Sequence, residues 1–363
     1  MILHLYFARK FLWTFLLIAG VFVVLIALID LVDKLQDFPD LPLRSVAGIV
    51  LLKLPEGNYE ILPLVMLLAT VALFLRLARS SELVVLRASG RSGFGGLMAP
   101  LIVAALIGII GVTVLNPIVA ASSKRYNDVQ NSYKGGGSDV LAISSDGLWL
   151  RQGSATGQTV IHALGASSDV SVLFNTTFIS FSPDGQPERR INADTARLGS
   201  GEWVLSNAKI WNLASGGNAE AEAVMLDEFV LPSALTQDRI IDSFGKPEYI
   251  SVWELPAFIA QLEDAGFSAR RYAMWFQMEL ARPLFLVALV MVSAAFTMRH
   301  TRTSRTGLSV MTALILGFAL YYIRNFAQIL GENGQIPILL AAWAPPVASV
   351  MLAAGILLHL EDG

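Results

Sequence analysis

The chain has 363 residues, of which 54% are hydrophobic and only 15% are charged, whereas soluble domains carry about 25% charged residues. The 26 basic and 29 acidic residues give a net charge of −3, which does not indicate any class of partner, and nothing in the sequence indicates nucleic-acid binding. The apolar residues are concentrated in runs long enough for a hydrocarbon core of about 30 Å, which takes about 20 helical residues. The composition therefore indicates an integral membrane protein.

Six apolar runs predict six transmembrane helices, three before and three after a large polar segment at 120–277. They are Phe11–Leu31, Ile61–Leu77, Leu97–Val119, Met278–Met298, Gly307–Leu330 and Ile336–Leu358. The first run is longer than the core of a signal peptide, and no small-x-small cleavage site follows it, so we expect it to remain as an anchor.

The distribution of basic residues predicts the orientation of these helices, because Lys and Arg accumulate in cytoplasmic loops. With the N-terminus inside, nine basic residues fall on the cytoplasmic side: Arg9, Lys10, Arg76, Arg79, Arg87, Arg91, Arg299, Arg302 and Arg305. The short loops of the other side carry three: Lys34, Arg44 and Lys53. We therefore expect both termini in the cytoplasm and the polar segment outside.

A short basic segment between the second and third runs, Arg79–Gly93, reads RSSELVVLRASGRSG. Ser80 or Ser81 can cap a helix that Glu82 and Leu83 open and Gly90 ends. This predicted amphipathic helix at about 80–90 either rests on anionic headgroups or inserts into a groove of another protein. The pattern alone leaves both alternatives open.

The external segment changes to the pattern of short strands between turns, as in GLWLRQ, TVIHAL and TFISFS. Such spacing predicts an antiparallel sandwich or jelly roll. After Pro247 a capping box at Ser251–Glu254 predicts a helix that ends near Gly266, and a second helix from about Ser268 runs into the fourth span. The predicted fold is therefore a membrane α-helical protein with an inserted periplasmic all-β, jelly-roll-like domain, organised as 1–119, 120–250, 251–277 and 278–363.

The sequence lacks the residues that catalysis in such a protein would use. It contains no cysteine nucleophile and no HExxH, GxSxG or GxxxxGK[ST] motif, and its histidines are His4, His162, His300 and His359. The predicted topology separates His162 from the other three. We expect a non-enzyme with no cofactor of its own, so any transport would depend on ATP hydrolysed, with Mg²⁺, by a separate ATPase.

Three stretches, SELVVLRASG, the Asp-Gly-Leu-Trp at 146–149 and RYAMWFQMELARPL at 271–284, lie in this three-plus-three layout. Together they resemble the LptF/LptG family of lipopolysaccharide-export permeases, and the SELVV…ASG detail is closer to the LptG branch. The resemblance implies a bacterial inner-membrane subunit that pairs with an LptF-like permease on a dimer of an LptB-like ATPase. It further implies extraction of lipopolysaccharide from the outer leaflet and transfer through the β domain to an LptC-like protein and a periplasmic bridge.

The resemblance also gives the amphipathic helix a role in ATPase coupling, with Glu82 at the acidic position. The expected contact residues are Ser81, Glu82, Leu83, Val84, Leu86, Arg87 and Gly90. Two alternatives stay open at this point. One is a permease of another ABC system, for lipoprotein release or mechanotransmission, and the other is a membrane-anchored periplasmic scaffold or sensor.

Candidate lipid-binding residues follow from the phosphates of a lipid A headgroup, which need cations near the outer interface. Lys34 lies at this depth after the first span, where the family uses basic residues. Gln36 and Asp37 depart from that family pattern. Lys34 either binds a phosphate or only marks the interface. Arg324 and Phe326 lie in the fifth span, and the family's lateral gate, between the first span of one subunit and the fifth of the other, implies that they line it. For Arg324 the alternative is pairing with a neighbouring helix. Weaker candidates, which could instead serve as interfacial anchors, are Lys124 and Arg125.

Six aromatic residues of the β segment could line an apolar lumen for acyl chains, or could form an ordinary core. They are Trp149, Phe174, Phe178, Phe181, Trp203 and Trp211.

Overall fold

The computed structural model describes residues 2–80, 82, 93–134, 141–144, 147–154, 157–167, 171–199, 201–214, 218–233, 235–236, 240, 246–264, 267–298 and 306–362. The chain divides into two compact units. One comprises Met1–Gln130, Glu248–Trp253 and Ala273–Gly363, and the other comprises Asn131–Pro247 and Glu254–Tyr272. They are a helical unit and a unit built mainly of β strands.

The helices of the chain are α1 (Ile2–Asp37), α2 (Leu43–Glu60), α3 (Leu62–Arg79), α4 (Gly93–Ile110), α5 (Asn116–Lys134), α6 (Leu255–Asp264), α7 (Arg270–Thr297), α8 (Thr306–Glu332) and α9 (Ile338–Asp362). A π-helical turn, Gly111–Leu115, joins α4 to α5 into one long rod. Within the described residues, six segments are long and apolar enough to cross a membrane: Leu3–Asp37, Leu62–Arg79, Gly95–Gln130, Arg270–Thr297, Gly307–Glu332 and Ile338–His359. The predicted six spans are confirmed.

Burial is uneven among these spans. The buried fraction of the most apolar stretch is 72% in α7 and 61% in α3. The same fraction is only 11% in α1 and 17% in α8. Small residues bring the inner helices close together: a Cβ on Gly108 of α4 would lie 2.6 Å from the backbone of Pro283 in α7. The helical unit is therefore centred on α3 and α7, and α1 and α8 have large apolar faces that the chain itself does not cover.

The segment between the first two spans differs from the expectation of a short loop, because it forms the 18-residue helix α2. Pro42 precedes its first residue, where a proline costs no hydrogen bond, and Val46, Ile49, Val50 and Tyr59 are buried. Apolar residues at helical spacing were present in the sequence, but α2 carries Lys53, Glu56 and Pro55 and does not qualify as a span. It ends at the buried side of the helical unit, where Tyr59 becomes part of the candidate site.

The β unit contains seven strands: β1 (Leu141–Ser144), β2 (Gly147–Ser154), β3 (Gly157–Ala166), β4 (Val172–Phe181), β5 (Pro187–Leu198), β6 (Glu202–Asn212) and β7 (Val224–Pro232). Each described strand pairs antiparallel with the next one in the chain, so the strand order is that of a meander. The predicted inserted antiparallel β domain is confirmed.

A crease crosses this sheet from β3 to β7. The residues at the crease have no partner in the described ladders: Leu164, Asn175, Asp194, Asn207 and Asp227. Asn175 and Asn207 adopt positive φ angles of 48° and 53°, a conformation that asparagine tolerates better than most residues. On each side of the crease, buried and more exposed side chains alternate along the strand, and this alternation shifts by one residue at the crease itself. The same face of the sheet is therefore buried before and after the crease.

The crease folds the sheet onto itself. The N–H of Leu198 donates to the carbonyl of Ser171, directly before β4, and Leu198 pairs with Trp203, so the register aligns Trp203 with Ser171. In a flat sheet, Phe178 would lie about 23 Å from Ser171 along β4. The rings of Phe178 and Trp203 nevertheless meet edge to face with centroids 6.0 Å apart. The hydroxyl of Ser233, after β7, also donates to Gln152 of β2 at 2.9 Å. The meander therefore bends so that parts of the one sheet face each other, and the predicted sandwich or jelly-roll arrangement stays a prediction.

One predicted helix start differs in the structure, and a second, at Ser80 or Ser81, lies partly outside the described residues. The helix expected from the Ser251 capping box begins at Leu255, and the N–H of Phe258 bonds the carbonyl of Glu254 at 3.0 Å. Ser80 caps the end of α3, where its backbone N–H donates to the carbonyl of Arg76 at 3.0 Å. Of the predicted coupling residues, Ser81, Leu83, Val84, Leu86, Arg87 and Gly90 lie outside the described residues. Glu82 is described.

Candidate functional site

A cluster of charged side chains is buried among α2, α7 and α8. It lies near the C-terminal end of α2, which carries Tyr59. Glu279 of α7 has no exposed surface and accepts a hydrogen bond from Arg282, one turn on, at 2.5 Å. Tyr59 of α2 donates its phenolic proton to the other oxygen of Glu279, and Arg282 lies over the Tyr59 ring at 3.9 Å from its centroid. Both carboxylate oxygens are thus satisfied, which a buried charge requires.

The backbone around this cluster holds Tyr59 in place. Arg282 also donates to the carbonyl of Tyr59 at 3.2 Å, and burial raises the pKa of the Tyr59 phenol well above its ordinary value. The phenol therefore stays protonated and acts as a donor.

The π turn makes further polar contacts. Asn116, directly after this turn, is buried and accepts a hydrogen bond from the N–H of Val252 at 2.8 Å. The carbonyl of Thr113, within the turn, accepts a hydrogen bond from the Trp253 indole at 3.2 Å. The π turn thus supplies polar groups that a regular helix would hide.

Arg324 of α8 adds a second cation to this region. Its side chain is 7% exposed, and its guanidinium lies 5.1 Å from the centroid of the Phe285 ring, a cation–π contact. Its Nε is buried without a hydrogen-bond partner, and among the described residues no carboxylate forms an ion pair with it. The charges of Arg282 and Glu279 both act on it. Among the buried side chains of this cluster, one carboxylate faces two guanidinium groups, an excess of one positive charge that does not count the exposed Glu60 nearby.

An apolar cavity of about 150 Å³ lies near this excess charge, between α3, α7 and α8. It is lined by Glu60, Ile61, Pro63, Leu64, Leu67, Leu289, Gly317, Phe318 and Tyr321. Tyr321 is one helical turn before Arg324. Arg324 itself does not line the cavity, and the lining is apolar except for the exposed Glu60 and the Tyr321 hydroxyl.

Lys34, in contrast, is neutralised within the chain. It is 8% exposed and pairs with Asp37 at 2.6 Å, and beside it Lys53 of α2 pairs with buried Asp30 at 2.6 Å. Although burial disfavours the ammonium, the hydrogen bond to Asp30 raises the pKa of Lys53 above its ordinary value. Two lysines and two aspartates leave no excess charge, so the structure gives Lys34 an ion-pair partner and leaves its predicted lipid contact a prediction.

The remaining lipid candidates do not converge with Arg324. Phe326 is 61% exposed and stands two residues from Arg324, on the opposite side of α8. Lys124 and Arg125 are exposed on α5. Only Arg324 lies in the buried cluster, and Phe326 belongs to the uncovered face of α8.

Sequence reasoning missed Tyr59, Glu279 and Arg282. Glu279 and Arg282 interrupt an apolar run at a spacing of three residues, the pattern of a buried helical ion pair, and this signal was available in the sequence. Nothing in the sequence connects Tyr59 to them, because it is 220 residues from Glu279.

A second ionic contact joins the other ends of α1 and α3. Lys10 of α1 binds both carboxylate oxygens of Glu82, at 2.7 and 3.0 Å, and Glu82 also accepts hydrogen bonds from Tyr6 and Ser80 at 3.1 and 2.8 Å. Partial burial raises the pKa of Glu82, but these hydrogen bonds outweigh it and hold the pKa below its ordinary value. The acidic residue of the predicted coupling motif, Glu82, is therefore bound to the first span.

The six candidate lumen aromatics do not share one surface. Phe178 and Trp203 are fully buried between the folded layers of the sheet. Trp149 and Phe174 are each 40% exposed, and Trp149 packs on His162 with ring centroids 4.3 Å apart. Phe181 is partly buried at a register shift at the end of β4.

Trp211 lies on the outer face of the sheet, in a polar setting. Its indole donates to Glu220 at 2.7 Å, and Arg190 and Lys209 lie over its ring at 5.4 and 4.9 Å from the centroid. The hydrogen bonds from Lys209 and Trp211 lower the pKa of Glu220.

Six spans and an inserted β unit define a polytopic membrane protein, with a buried charge cluster in its helical unit. The profile of the lipopolysaccharide export system permease LptF/LptG family matches residues 5–359, and the chain belongs to this family. It is 21% identical over 322 residues to the lipopolysaccharide export system permease protein LptG of Haemophilus influenzae, covering 86% of this chain and 85% of that protein. It is also 21% identical over 304 residues to LptG of Escherichia coli K12, covering 83% and 80%. The predicted family and its LptG-like character are confirmed.

Proposed function

We propose that this chain is the non-catalytic transmembrane subunit of an ATP-driven exporter that extracts lipopolysaccharide from the outer leaflet of the inner membrane. The observation that carries the proposal is the unpaired, buried guanidinium of Arg324 beside an apolar cavity. An uncompensated cation in a span is costly, so such residues serve a ligand or a partner by default. One phosphate of a lipid A headgroup would neutralise the excess charge.

Access to Arg324 comes from movement of α8. This span and α1 are the two with the smallest buried fractions, 17% and 11%, so they can shift with little loss of packing inside the chain. Their uncovered faces suit a second, LptF-like permease, with Phe326 at the seam. Lipid would enter where α1 of one subunit meets α8 of the other, and Arg324 would bind the phosphate as the seam opens.

Force enters at the opposite end of the spans. With both termini in the cytoplasm, as the basic residues indicate, Glu82 and the segment after it face an LptB-like ATPase dimer. The Lys10–Glu82 ion pair would transmit movement of that segment to α1. The β unit would receive the lipid and pass it to an LptC-like protein and the periplasmic bridge.

Photocrosslinking in intact cells tests the lipid site. A photoreactive residue at Phe318, which lines the cavity, should form an adduct with lipopolysaccharide, and the adduct should fall at least tenfold on Arg324→Ala because charge-assisted contacts are the strong ones. Arg324→Lys should retain part of it. Arg44→Ala removes an exposed arginine outside the cluster and serves as the matched control. Equal adducts in Arg324→Ala and the control would refute a lipid role for Arg324.

Co-purification tests the ATPase coupling separately. An ATPase should survive detergent extraction with the native chain and be lost on Glu82→Ala or Leu86→Glu. Retention through both changes would contradict the coupling role. An ATPase without bound lipopolysaccharide would instead support a permease of another ABC system.

A further inference from the structure

A basic cleft lies at the Arg76 end of α3, on the side of α1 that faces away from the core. Its volume is about 570 Å³, and it is lined by Tyr6, Arg9, Lys10, Trp13, Thr14, Leu16, Leu17 and Arg76. Arg76 is 14 residues from Leu62, so the cleft lies about 21 Å along α3 from the end that adjoins α2 and Tyr59. It is therefore distinct from the Arg324 site, at the opposite end of the spans.

The charges in the cleft are not balanced by the chain. Arg9 and Arg76 are exposed, and in the described ranges no carboxylate pairs with either of them. Lys10 is paired with Glu82. Among the described residues, Glu82 is the one carboxylate that forms an ion pair with a residue lining the cleft. Among the described residues, the cleft therefore has three cations and one carboxylate, an excess of two positive charges that a bound anion would neutralise.

The polarity of the cleft changes along α1 as it does along a lipid. The basic residues and Tyr6 lie nearest the helix end, and Trp13, Leu16 and Leu17 follow over the next two turns with exposed fractions of 63%, 50% and 68%. Aromatic side chains favour the headgroup level and leucines the hydrocarbon. A soluble anion would use the basic end only, whereas a phospholipid would cover both.

We propose that this cleft binds an anionic phospholipid of the cytoplasmic leaflet, with its phosphate between Arg9 and Arg76 and an acyl chain along Leu16 and Leu17. The proposal rests on the orientation proposed above, and it adds a lipid that stays in the membrane to the one that is transported. Basic pockets between spans on the cytoplasmic side are the usual sites for such headgroups. The lipid would sit beside the Lys10–Glu82 pair, where it can stiffen the junction of α1 with the segment that begins at Glu82.

Native mass spectrometry of the purified transporter complex tests this directly, with phosphatidylglycerol as the probe and zwitterionic phosphatidylcholine, whose net charge is zero, as the comparison. The double variant Arg9→Gln/Arg76→Gln should bind phosphatidylglycerol about thirtyfold more weakly, because each basic residue near an anionic headgroup contributes about a fivefold factor. Arg9→Lys/Arg76→Lys should restore most of the binding. Arg79→Gln removes an exposed arginine of the same helix end that does not line the cleft, and should leave binding unchanged.

Three outcomes would overturn the proposal. Equal binding by the double variant and Arg79→Gln would show that the cleft contributes nothing beyond general surface charge. Displacement of phosphatidylglycerol by lipopolysaccharide from the same residues would make the cleft part of the transport path. Loss of the partner permease from the double variant, with lipid binding intact, would make it a subunit interface. None of these outcomes bears on the Arg324 crosslink, so the two proposals fail separately.

Discussion

Phe178 and Trp203 meet edge to face at 6.0 Å although the strand register sets them at opposite ends of the sheet. The contact exists because β3 to β7 bend together along one crease. Along this crease, Asn207 of β6 donates a hydrogen bond to Asp194 of the neighbouring strand β5 at 2.8 Å. A meander of seven strands thereby gains a closed core without crossing connections.

Removing the larger of these two rings should destabilise the β unit strongly. We expect Trp203→Ala to lower the free energy of unfolding by about 3–5 kcal/mol, because a fully buried aromatic ring leaves a cavity. Thermal unfolding of the complete chain, followed by protease sensitivity of the β unit, measures this effect. Trp149→Ala is the matched control, since that ring is 40% exposed, and an equal loss in both variants would contradict the folded-layer core.

The crease depends on the positive φ of Asn175, which is 48°. Asn175→Gly should be tolerated, because glycine adopts this conformation freely. Asn175→Val should destabilise the unit by about 1–3 kcal/mol, because a β-branched residue is strained there. Equal stabilities of the two variants would show that the crease does not require this backbone conformation.

Breaking the buried ion pair of α7 should be costly. Glu279→Gln leaves Arg282 buried without a counter-charge and should destabilise the helical unit by about 3–5 kcal/mol. Detergent-dependent thermal aggregation of the complete chain measures it. Glu254→Gln, at an exposed glutamate, should change nothing. A stable Glu279→Gln chain would mean that the excess charge near Arg324 is balanced in another way.

The Lys10–Glu82 pair should depend on pH in a defined direction. The folded pKa of Glu82 is below its ordinary value of 4.5, so the unfolded chain binds more protons as the pH falls through this range. The contribution of the pair is present above that value and is lost below it. Because both side chains are partly exposed, we expect a coupling energy of about 0.2–1 kcal/mol at neutral pH in a double-mutant cycle of Lys10→Met and Glu82→Gln. No coupling at pH 7 would argue against transmission through this pair.

The orientation can be mapped without first removing native thiols, because the sequence contains no cysteine. Arg44→Cys and Asp184→Cys, both exposed, should react with an impermeant maleimide in spheroplasts. Arg79→Cys should react only after permeabilisation. The reverse labelling pattern would refute the cytoplasmic position of the N-terminus and of the basic cleft.

The sequence by itself determined the six spans, the inserted β domain and the family, because hydropathy over about 20 residues, strand-length alternation and local motifs are properties of neighbouring residues. It also marked Arg324 as an unusual charge in a span. Only the tertiary structure decided which charges are balanced. Asp37 and Asp30 neutralise Lys34 and Lys53, and Glu279 satisfies Arg282, whereas Arg324, Arg9 and Arg76 have no such partner among the described residues. Ion pairing acts over a few ångströms in space, and residues as far apart as Tyr59 and Glu279 come within that distance only when the helices pack.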